Sequence, residues 1–299
     1  MTLPPAVNWH FWPWCNYGCT FCFATFEDID RSNSLEKELG FKLLEEMAAE
    51  GVEKVTFVGG EPTLCPWLGE LLVRAKELGL TTCIVSNGTG LSEEFLDSYH
   101  EYIDWVGISI DASDDRLHYI MGRGTKADLA EGRSRHLEAA LSAWERCQKL
   151  GIRMKLNTVV CRANLDDNMA DLARRLNPDR WKVFQVLPVD GQNDGRIEKL
   201  LISENEFSRW VQRHERLLKG EIGFIAESNE LMTGSYVMID SLGRFYSNVD
   251  GKHMYTRPIL EVGIKEAWSE NQFYEHRFIE RDGLGFRGML PIVEDVCVI

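Results

Sequence analysis

The stretch WPWCNYGCTFCFATF, residues 12–26, is the part of the sequence that decides the fold. It contains Cys15, Cys19 and Cys22 at C-x3-C-x2-C spacing, three of the chain's eight cysteines. Gly18 lies inside, where a tight turn favours a residue that tolerates positive φ. Three thiolates in one short loop can bind three irons of a [4Fe–4S] cluster and leave the fourth iron open to another ligand.

Two other interpretations of these cysteines remain open. A closed structural zinc site needs a fourth ligand, yet no further cysteine or histidine follows within the loop, and His10 would reach it only if the preceding strand turned back. The cysteines could also be ordinary buried thiols. The spacing favours the iron–sulfur interpretation over both.

The composition limits the classes of partner. The chain has 299 residues, 44% of them hydrophobic, and a net charge of −14. This charge argues against a nucleic-acid polymer as partner, but not against a small anionic substrate in a local basic pocket. No apolar run approaches the ~18 residues of a membrane helix. Because the N-terminal residues also lack the features of a signal peptide, we expect a cytoplasmic protein with reduced or metal-bound cysteines.

Strand-like and helix-like segments alternate along the first two thirds of the chain. The predicted strands are 7–12, 54–58, 81–86, 105–110, 152–160 and 180–187, and the predicted helices are 35–50, 66–79, 92–101, 136–150 and 165–176. Such alternation predicts a parallel sheet with right-handed crossovers. Six βα units are too few to close an eight-stranded barrel, so we expect an α/β fold with a partial, curved barrel. Ligands of such sheets bind at the carboxyl ends of the strands.

The alternation ends near residue 188. A helix is expected over 203–219, where Ser203 and Glu206 fit a capping box, and SYVMIDSLGRFYS (235–247) is typical of a hairpin. We therefore expect residues 1–188 to form the barrel core. Residues 189–299 are expected to form a C-terminal extension that covers the barrel mouth and contributes to the substrate site, within a single structural unit.

Polar residues follow one face of several predicted strands. Side chains alternate along a strand, so the apolar residues of strands two, five and six should pack on helices. The opposite faces, which should point into the barrel, carry Lys54, Arg153, Lys155, Asn157, Arg180 and Lys182. Unpaired buried cations are costly, so they favour an anionic ligand such as a triphosphate. Alternatively, these cations pair with acidic side chains or reach solvent at the strand ends.

The cysteine loop resembles that of the radical S-adenosylmethionine (SAM) superfamily, and GGEP (59–62), VSNG (85–88) and ISID (108–111) follow it at successive strand ends. The resemblance implies that the three cysteines hold a [4Fe–4S] cluster and that SAM is the second cofactor. It places at SAM the residues Gly59, Gly60, Glu61, Ser86, Asn87, Ser109 and Arg123. One-electron reduction then cleaves SAM to a 5′-deoxyadenosyl radical that abstracts a hydrogen atom.

Further stretches are similar to viperin and the viperin-like antiviral enzymes. These are VNWHF (7–11), MGRG (121–124), KLN (155–157), LNPDRWKVFQ (176–185), ESN (227–229) and SY (235–236). The resemblance implies a dehydratase that converts a ribonucleoside triphosphate, with CTP favoured and UTP or GTP open, to its chain-terminating 3′-deoxy-3′,4′-didehydro analogue. It assigns to substrate binding Asn8, Lys54, Lys155, Asn157, Arg180 and Lys182. Tyr236 would lie near the ribose as a candidate donor in the final reduction.

Two other radical SAM reactions are alternatives to the dehydratase. A radical SAM nucleotide cyclase usually carries a second cysteine cluster, and a peptide-modifying enzyme usually carries a peptide-recognition domain. Neither feature is visible in this sequence. A non-catalytic metal-binding regulator is the alternative outside enzymes. An enzyme of the expected kind needs a one-electron reductant of the flavodoxin or ferredoxin type. The cysteines outside the loop are expected to be ordinary thiols, and they are Cys65, Cys83, Cys147, Cys161 and Cys297.

Overall fold

The strands of the computed structural model, which describes residues 2–287, form one sheet. They are β1 Ala6–Trp12, β2 Lys54–Gly59, β3 Thr81–Ser86, β4 Trp105–Ser109, β5 Arg153–Val160, β6 Arg180–Gln185, β7 Phe224–Glu227, β8 Met238–Ile239, β9 Arg244–Ser247 and β10 Met254–Pro258. Their order is β10-β9-β8-β1-β2-β3-β4-β5-β6-β7. The strands from β1 to β7 are parallel, and in the described chain the sheet ends at β7 and β10. The predicted open α/β barrel is confirmed.

Helices connect the parallel strands. They are α1 Lys37–Ala49, α2 Leu68–Glu77, α3 Glu93–Tyr99, α4 Asp115–Ile120, α5 Lys126–Ala130, α6 His136–Lys149, α7 Ala170–Leu176, α8 Glu204–Leu218, α9 Asn229–Met232, α10 Ile259–Val262, α11 Ile264–Glu270 and α12 Glu275–Glu280. Short 3-10 turns lie at Arg31–Asn33, Pro62–Leu64, His100–Tyr102 and Glu198–Leu200. The capping box predicted at Ser203 and Glu206 begins α8.

The start of α7 was predicted too early. The helix begins at Ala170 and not at 165, because the side chain of Asn164 holds the preceding segment in a turn. Its Oδ1 accepts a hydrogen bond from Cys161 N at 2.7 Å, and its Nδ2 donates to Asp111 O at 2.6 Å and to Val159 O at 2.8 Å. A side chain that bonds to nearby backbone groups competes in this way with the helix.

The division of strand faces follows the predicted alternation. In β5, Met154 and Leu156 are fully buried in the main core, while Lys155 and Asn157 line a cavity on the other side of the sheet. The core lies between this apolar face and the surrounding helices, where Trp144 of α6 is also fully buried. One face of the sheet therefore packs in the hydrophobic core, and the other face lines the cavity.

Residues beyond 188 join both edges of the sheet. The predicted hairpin is present as β8 and β9, and β8 lies parallel to β1 with Asn8 opposite Met238. The other edge is β7, parallel to β6, which the sequence analysis missed because its four residues FIAE show neither clear alternation nor turn signals. Its last residue, Glu227, lies opposite Phe184.

The segment 281–287 returns to the barrel at the amino ends of the strands. Asp282 contacts Arg180, the first residue of β6, and the ring of Phe286 lies 5.4 Å from Nζ of Lys54, the first residue of β2. The cysteine loop follows the carboxyl end of β1. This part of the C-terminal extension therefore lies at the end of the cavity opposite the cysteine loop.

Candidate active site

One cavity of about 330 Å³ is lined by the inner faces of the parallel strands. Every residue that the sequence analysis assigned to the site lines it. These are Asn8, Cys15, Cys19, Cys22, Lys54, Gly59, Gly60, Glu61, Ser86, Asn87, Ser109, Arg123, Lys155, Asn157, Arg180, Lys182 and Tyr236. Cys83, which was expected to be an ordinary thiol, also lines the wall, while Cys297 lies outside the described residues.

Backbone contacts fix the cysteine loop against the GGEP turn. Gly60 N donates to Trp12 O at 2.6 Å, and Glu61 N donates to Trp14 O at 2.8 Å. A Cβ on Gly60 would lie 2.2 Å from Trp14 O and 2.9 Å from Cys15 N. Real Cβ atoms do not approach backbone this closely, so glycine is required here for packing. The two motifs are therefore held as one unit.

The three thiols form part of the cavity wall. Burial raises the pKa of Cys15 to about 11 and that of Cys19 to about 12, and it also raises the pKa of Cys22. Within residues 2–287 no three His, Cys, Asp or Glu side chains converge on a point where one metal ion could bind. Three thiols on one cavity wall are the donor set that a cubane needs, in which each cysteine would bind a different iron.

Glu61 holds the next part of the cavity wall. Its side chain is buried, with Oε1 accepting from Ser86 Oγ at 2.7 Å and Oε2 accepting from Asn87 N at 2.7 Å. Burial raises the pKa of this carboxyl group, while the hydrogen bonds oppose that rise. Asn87 in turn donates through Nδ2 to Asn16 Oδ1 at 2.9 Å. Glu61 therefore joins the ends of β2 and β3 beside the cysteine loop.

Arg123 is buried next to the same loop. Its Nε lies 3.0 Å from Asp111 Oδ2, its Nη2 donates to Ser109 O at 2.9 Å, and its Nη1 lies 3.6 Å from Cys19 Sγ. His136, which is fully buried, also contacts Ser109 O through Nε2 at 2.8 Å. The sequence analysis missed Asp111 and His136 as partners of Arg123, although the ISID motif contains Asp111.

Cations collect at the opposite end of the cavity. In the register of β5 and β6, Lys155 lies beside Arg180 and Asn157 lies beside Lys182. Lys182 forms an ion pair with Glu227, which is fully buried. The alternative that these cations pair with acidic side chains is therefore correct for Lys182, and also for Arg180, whose Nη2 lies 2.7 Å from Asp282 Oδ2.

The positive charges of the remaining cations have fewer acidic partners among the described residues. For Lys54 and Lys155 no carboxylate within residues 2–287 lies at ion-pair distance, and Nε of Arg180 is buried without a hydrogen-bond partner there. Burial lowers the pKa of Lys54. Burial also lowers the pKa of Lys155, and the neighbouring Lys182 and other cations lower it again, to well below its usual value. Burial likewise lowers the pKa of Lys182, to about 8, although Glu227 opposes this. Such a cluster favours an anionic ligand.

Tyr236 lies on the same wall. Its hydroxyl donates to Glu227 Oε2 at 2.6 Å, and the guanidinium carbon of Arg281 lies 3.5 Å from the centre of its ring. Lys182 Nζ also donates to Arg281 O at 2.9 Å. The sequence analysis missed both Glu227 and Arg281. The ESN motif contains Glu227, but nothing in the sequence shows that it contacts Lys182.

Comparison with known proteins identifies the family. The model of the radical SAM superfamily matches residues 9–176. An S-adenosylmethionine-dependent nucleotide dehydratase of Flammeovirga pacifica is 43% identical over 284 residues, which cover 94% of this chain and 95% of that protein. This chain is a viperin-like member of the radical SAM superfamily. A second relative, the S-adenosylmethionine-dependent nucleotide dehydratase RSAD2 of Oncorhynchus mykiss, is 36% identical over 94% of this chain and 80% of its own length.

The fold of this viperin-like chain recurs in a more distant protein. Streptococcus suis SuiB, solved bound to S-adenosylmethionine, superposes with a TM-score of 0.69 at 16% identity, covering 93% of this chain and 68% of that one. At this identity the likeness shows the fold alone. As a radical SAM enzyme, the viperin-like protein uses a [4Fe–4S] cluster and SAM. Among the described residues, no helix has both the length and the apolar character required to cross a membrane.

Proposed function

We propose that this protein is a radical SAM dehydratase that removes water from a ribonucleoside triphosphate, with CTP favoured and UTP or GTP as alternatives. Its product is the 3′-deoxy-3′,4′-didehydro nucleotide, an antiviral chain terminator. The observation that carries the proposal is the cationic end of the cavity, where the partly buried Lys54 and Lys155 have no carboxylate partner in the described chain. The names of the curated relatives support the same reaction class.

The residues at the other end fit the cofactors. Cys15, Cys19 and Cys22 would hold the cluster, and Glu61 and Arg123 lie beside them with the polar atoms that an amino acid's amino and carboxylate groups need. When bound, the cluster supplies one electron that cleaves SAM and yields the radical that abstracts hydrogen. The wall residues position the two reactants and exclude water from the space between them.

The nucleotide is proposed to lie between the two ends. Its triphosphate would replace water around Lys54, Lys155 and the free Nε of Arg180, because a polyanion relieves the repulsion among buried cations. Asn157 Oδ1 is buried without a hydrogen-bond partner in residues 2–287 and offers an acceptor to the ligand. With the phosphates anchored there, the ribose would face the cysteine loop and present C4′ for hydrogen abstraction.

The chemistry implies an electron donor. Each turnover consumes an electron in SAM cleavage, and completion of the product needs one further electron and one proton. We propose a one-electron reductant of the flavodoxin or ferredoxin type as the partner that supplies the cluster.

Mass spectrometry of reconstituted, reduced protein tests the proposal. The protein is incubated with SAM and, in separate reactions, CTP, UTP or GTP deuterated at C4′. We expect the C4′ deuterium to appear in 5′-deoxyadenosine. The product should be lighter than the deuterated substrate by the mass of this deuterium and of the 3′ hydroxyl group, which together equal one HDO. A free nucleoside should react poorly because it lacks the phosphate anchor. Deuterium transfer from another ribose carbon or from the base, with none from C4′, would contradict the dehydratase reaction.

A further inference from the structure

Three residues that line the cavity form a closed set of contacts with one residue behind them. They are Lys182, Tyr236 and Arg281 on the wall and Glu227 behind it, and the contact between Lys182 and Arg281 is made by the backbone oxygen of Arg281. Glu227 is fully buried, and its two oxygens have different partners: Oε1 pairs with Lys182, and Oε2 accepts the hydroxyl hydrogen of Tyr236 at 2.6 Å. This carboxylate therefore lies behind the wall and joins the cationic end of the cavity to the phenol.

The contacts fix the direction of the phenol hydrogen. Because it is directed at Glu227, which lies behind the wall, the lone pairs of the Tyr236 oxygen remain for a ligand. Tyr236 lines the cavity and is only partly buried, so a ligand can reach it. Arg281 covers its ring, and Nε of Arg281 donates to Ser235 O at 3.0 Å, which restrains the ring. Burial and the Glu227 carboxylate raise the pKa of Tyr236 well above its usual value, so the hydrogen stays on the phenol.

We infer that Tyr236 determines specificity for the sugar by accepting a hydrogen bond from a ribose hydroxyl of the nucleotide, and that Glu227 is the positioning residue that keeps Tyr236 an acceptor. The inference rests on the proposed function. A deoxy sugar would leave the phenol oxygen without its donor, and sites built around a buried hydrogen bond discriminate strongly against ligands that lack the partner.

This role differs from the donor role implied by the family resemblance. In the structure a donor would first have to withdraw its hydrogen from Glu227, whose negative charge is held in place by Lys182. An acceptor needs no rearrangement.

The variant Glu227→Gln distinguishes a Tyr236 that accepts a hydrogen bond from the ligand from a Tyr236 that donates one. The amide oxygen of the new side chain would accept from Lys182, and its NH2 group would then donate to the Tyr236 oxygen. The phenol hydrogen would turn toward the cavity, and Tyr236 would become a donor. Glu230→Gln is the matched control, because Glu230 is an exposed carboxylate three residues away on α9.

The experiment measures binding of CTP, of its 2′-deoxy and 3′-deoxy analogues, and of the corresponding 2′-fluoro and 3′-fluoro analogues. Binding is measured by calorimetry to the reconstituted protein with SAM present. For the unmodified protein and Glu230→Gln, we expect one of the deoxy analogues to bind about fivefold to fiftyfold more weakly than CTP. Tyr236→Phe should bind that analogue and CTP equally. Glu227→Gln should keep that preference, because a ribose hydroxyl can also accept the phenol hydrogen. It should, however, bind the analogue in which fluorine replaces this hydroxyl more tightly than the unmodified protein does, because fluorine can only accept. A structural role alone would lower all affinities together and leave their ratio unchanged.

The outcomes separate this inference from the proposed function. The inference is overturned, although the dehydratase reaction stands, if Tyr236→Phe keeps the ribose preference of the unmodified protein. It is likewise overturned if Glu227→Gln binds the fluoro analogue no more tightly than the unmodified protein does. Equal binding of CTP and both deoxy analogues by the unmodified protein overturns it in the same way. If the unmodified protein binds none of the triphosphates, including UTP and GTP, the proposed function falls and this inference with it.

Discussion

Lys155 and Arg180 are register partners on β5 and β6, so two cationic side chains lie next to each other on the cavity face of the sheet. Asp282 pairs with Arg180, but in the described chain no carboxylate pairs with Lys155. Burial and neighbouring cations lower the pKa of Lys155 well below its usual value. A sheet that places like charges side by side in a buried cavity gains from any ligand that brings negative charge.

The first prediction concerns the strength of this anchor. Lys155→Ala should raise the Kd for the nucleotide by roughly tenfold to a hundredfold, because a hydrogen bond to a charged group contributes about 1.5–3 kcal/mol. Arg180→Ala should act in the same direction. Calorimetric titration measures the effect, and SAM cleavage without nucleotide should change little.

Lys149→Ala is the matched control, since Lys149 is exposed at the end of α6. It removes the same charge from the chain without touching the cavity. Unchanged nucleotide affinity in both Lys155→Ala and Arg180→Ala would refute the phosphate anchor on β5 and β6.

The second prediction concerns protons. In the free protein burial lowers the pKa of Lys182 to about 8 and that of Lys155 well below its usual value, so part of these amines lacks a proton in mildly basic solution. A bound triphosphate favours the charged amines and raises their pKa values. Binding should therefore take up protons, and affinity should fall from about pH 7 to about pH 9, a range above the titration of the terminal phosphate.

Calorimetry in two buffers of different ionisation enthalpy measures this proton uptake directly. Lys155→Ala should take up fewer protons than the unmodified protein at the same pH. Proton release on binding, or an affinity that rises toward pH 9, would show that the lysines do not contact the phosphates.

Much of the fold follows from local sequence patterns, and the limits lie where distant segments meet. The strands β1 to β6 were predictable because strand-like segments alternate with helical segments over this part of the chain. The strand β7 was not, because four residues carry too little pattern. Glu227 at its end contacts Lys182 only because β7 lies beside β6, and no spacing in the sequence encodes that neighbour.

The site shows the same limit. Alternation along β5 and β6 correctly placed Lys155 and Lys182 inside the cavity. It could not reveal that Asp282, about a hundred positions later, pairs with Arg180, nor that Arg281 covers the ring of Tyr236. The direction of the Tyr236 hydrogen depends on a hydrogen-bond partner, and only the three-dimensional structure supplies it.

The third prediction concerns the cluster. Replacing Cys15, Cys19 or Cys22 with Ala should abolish SAM cleavage and sharply reduce bound iron and sulfide, because each thiolate is proposed to bind a separate iron. Iron and sulfide analysis of anaerobically reconstituted protein measures the loss. Cys65→Ala is the control, since Cys65 is buried but does not line the cavity, and it should retain its iron. Full iron and sulfide in a triple Ala variant would contradict the assignment.

The fourth prediction concerns the contact between the GGEP turn and the cysteine loop. In Gly60→Ala the added Cβ would lie 2.2 Å from Trp14 O, and the nearby atoms belong to backbone that cannot rotate away. The loop that carries Cys15 must shift instead. Since displacement of a reacting group by about 1 Å can cost a hundredfold in rate, SAM cleavage should fall by roughly that factor.

Gly223→Ala is the control and should leave cleavage unchanged, because nothing lies within 4 Å of its added Cβ. The measurement compares SAM cleavage rates and iron content of both variants after the same reconstitution. Normal cleavage in Gly60→Ala would mean that the two motifs need not be held as one unit.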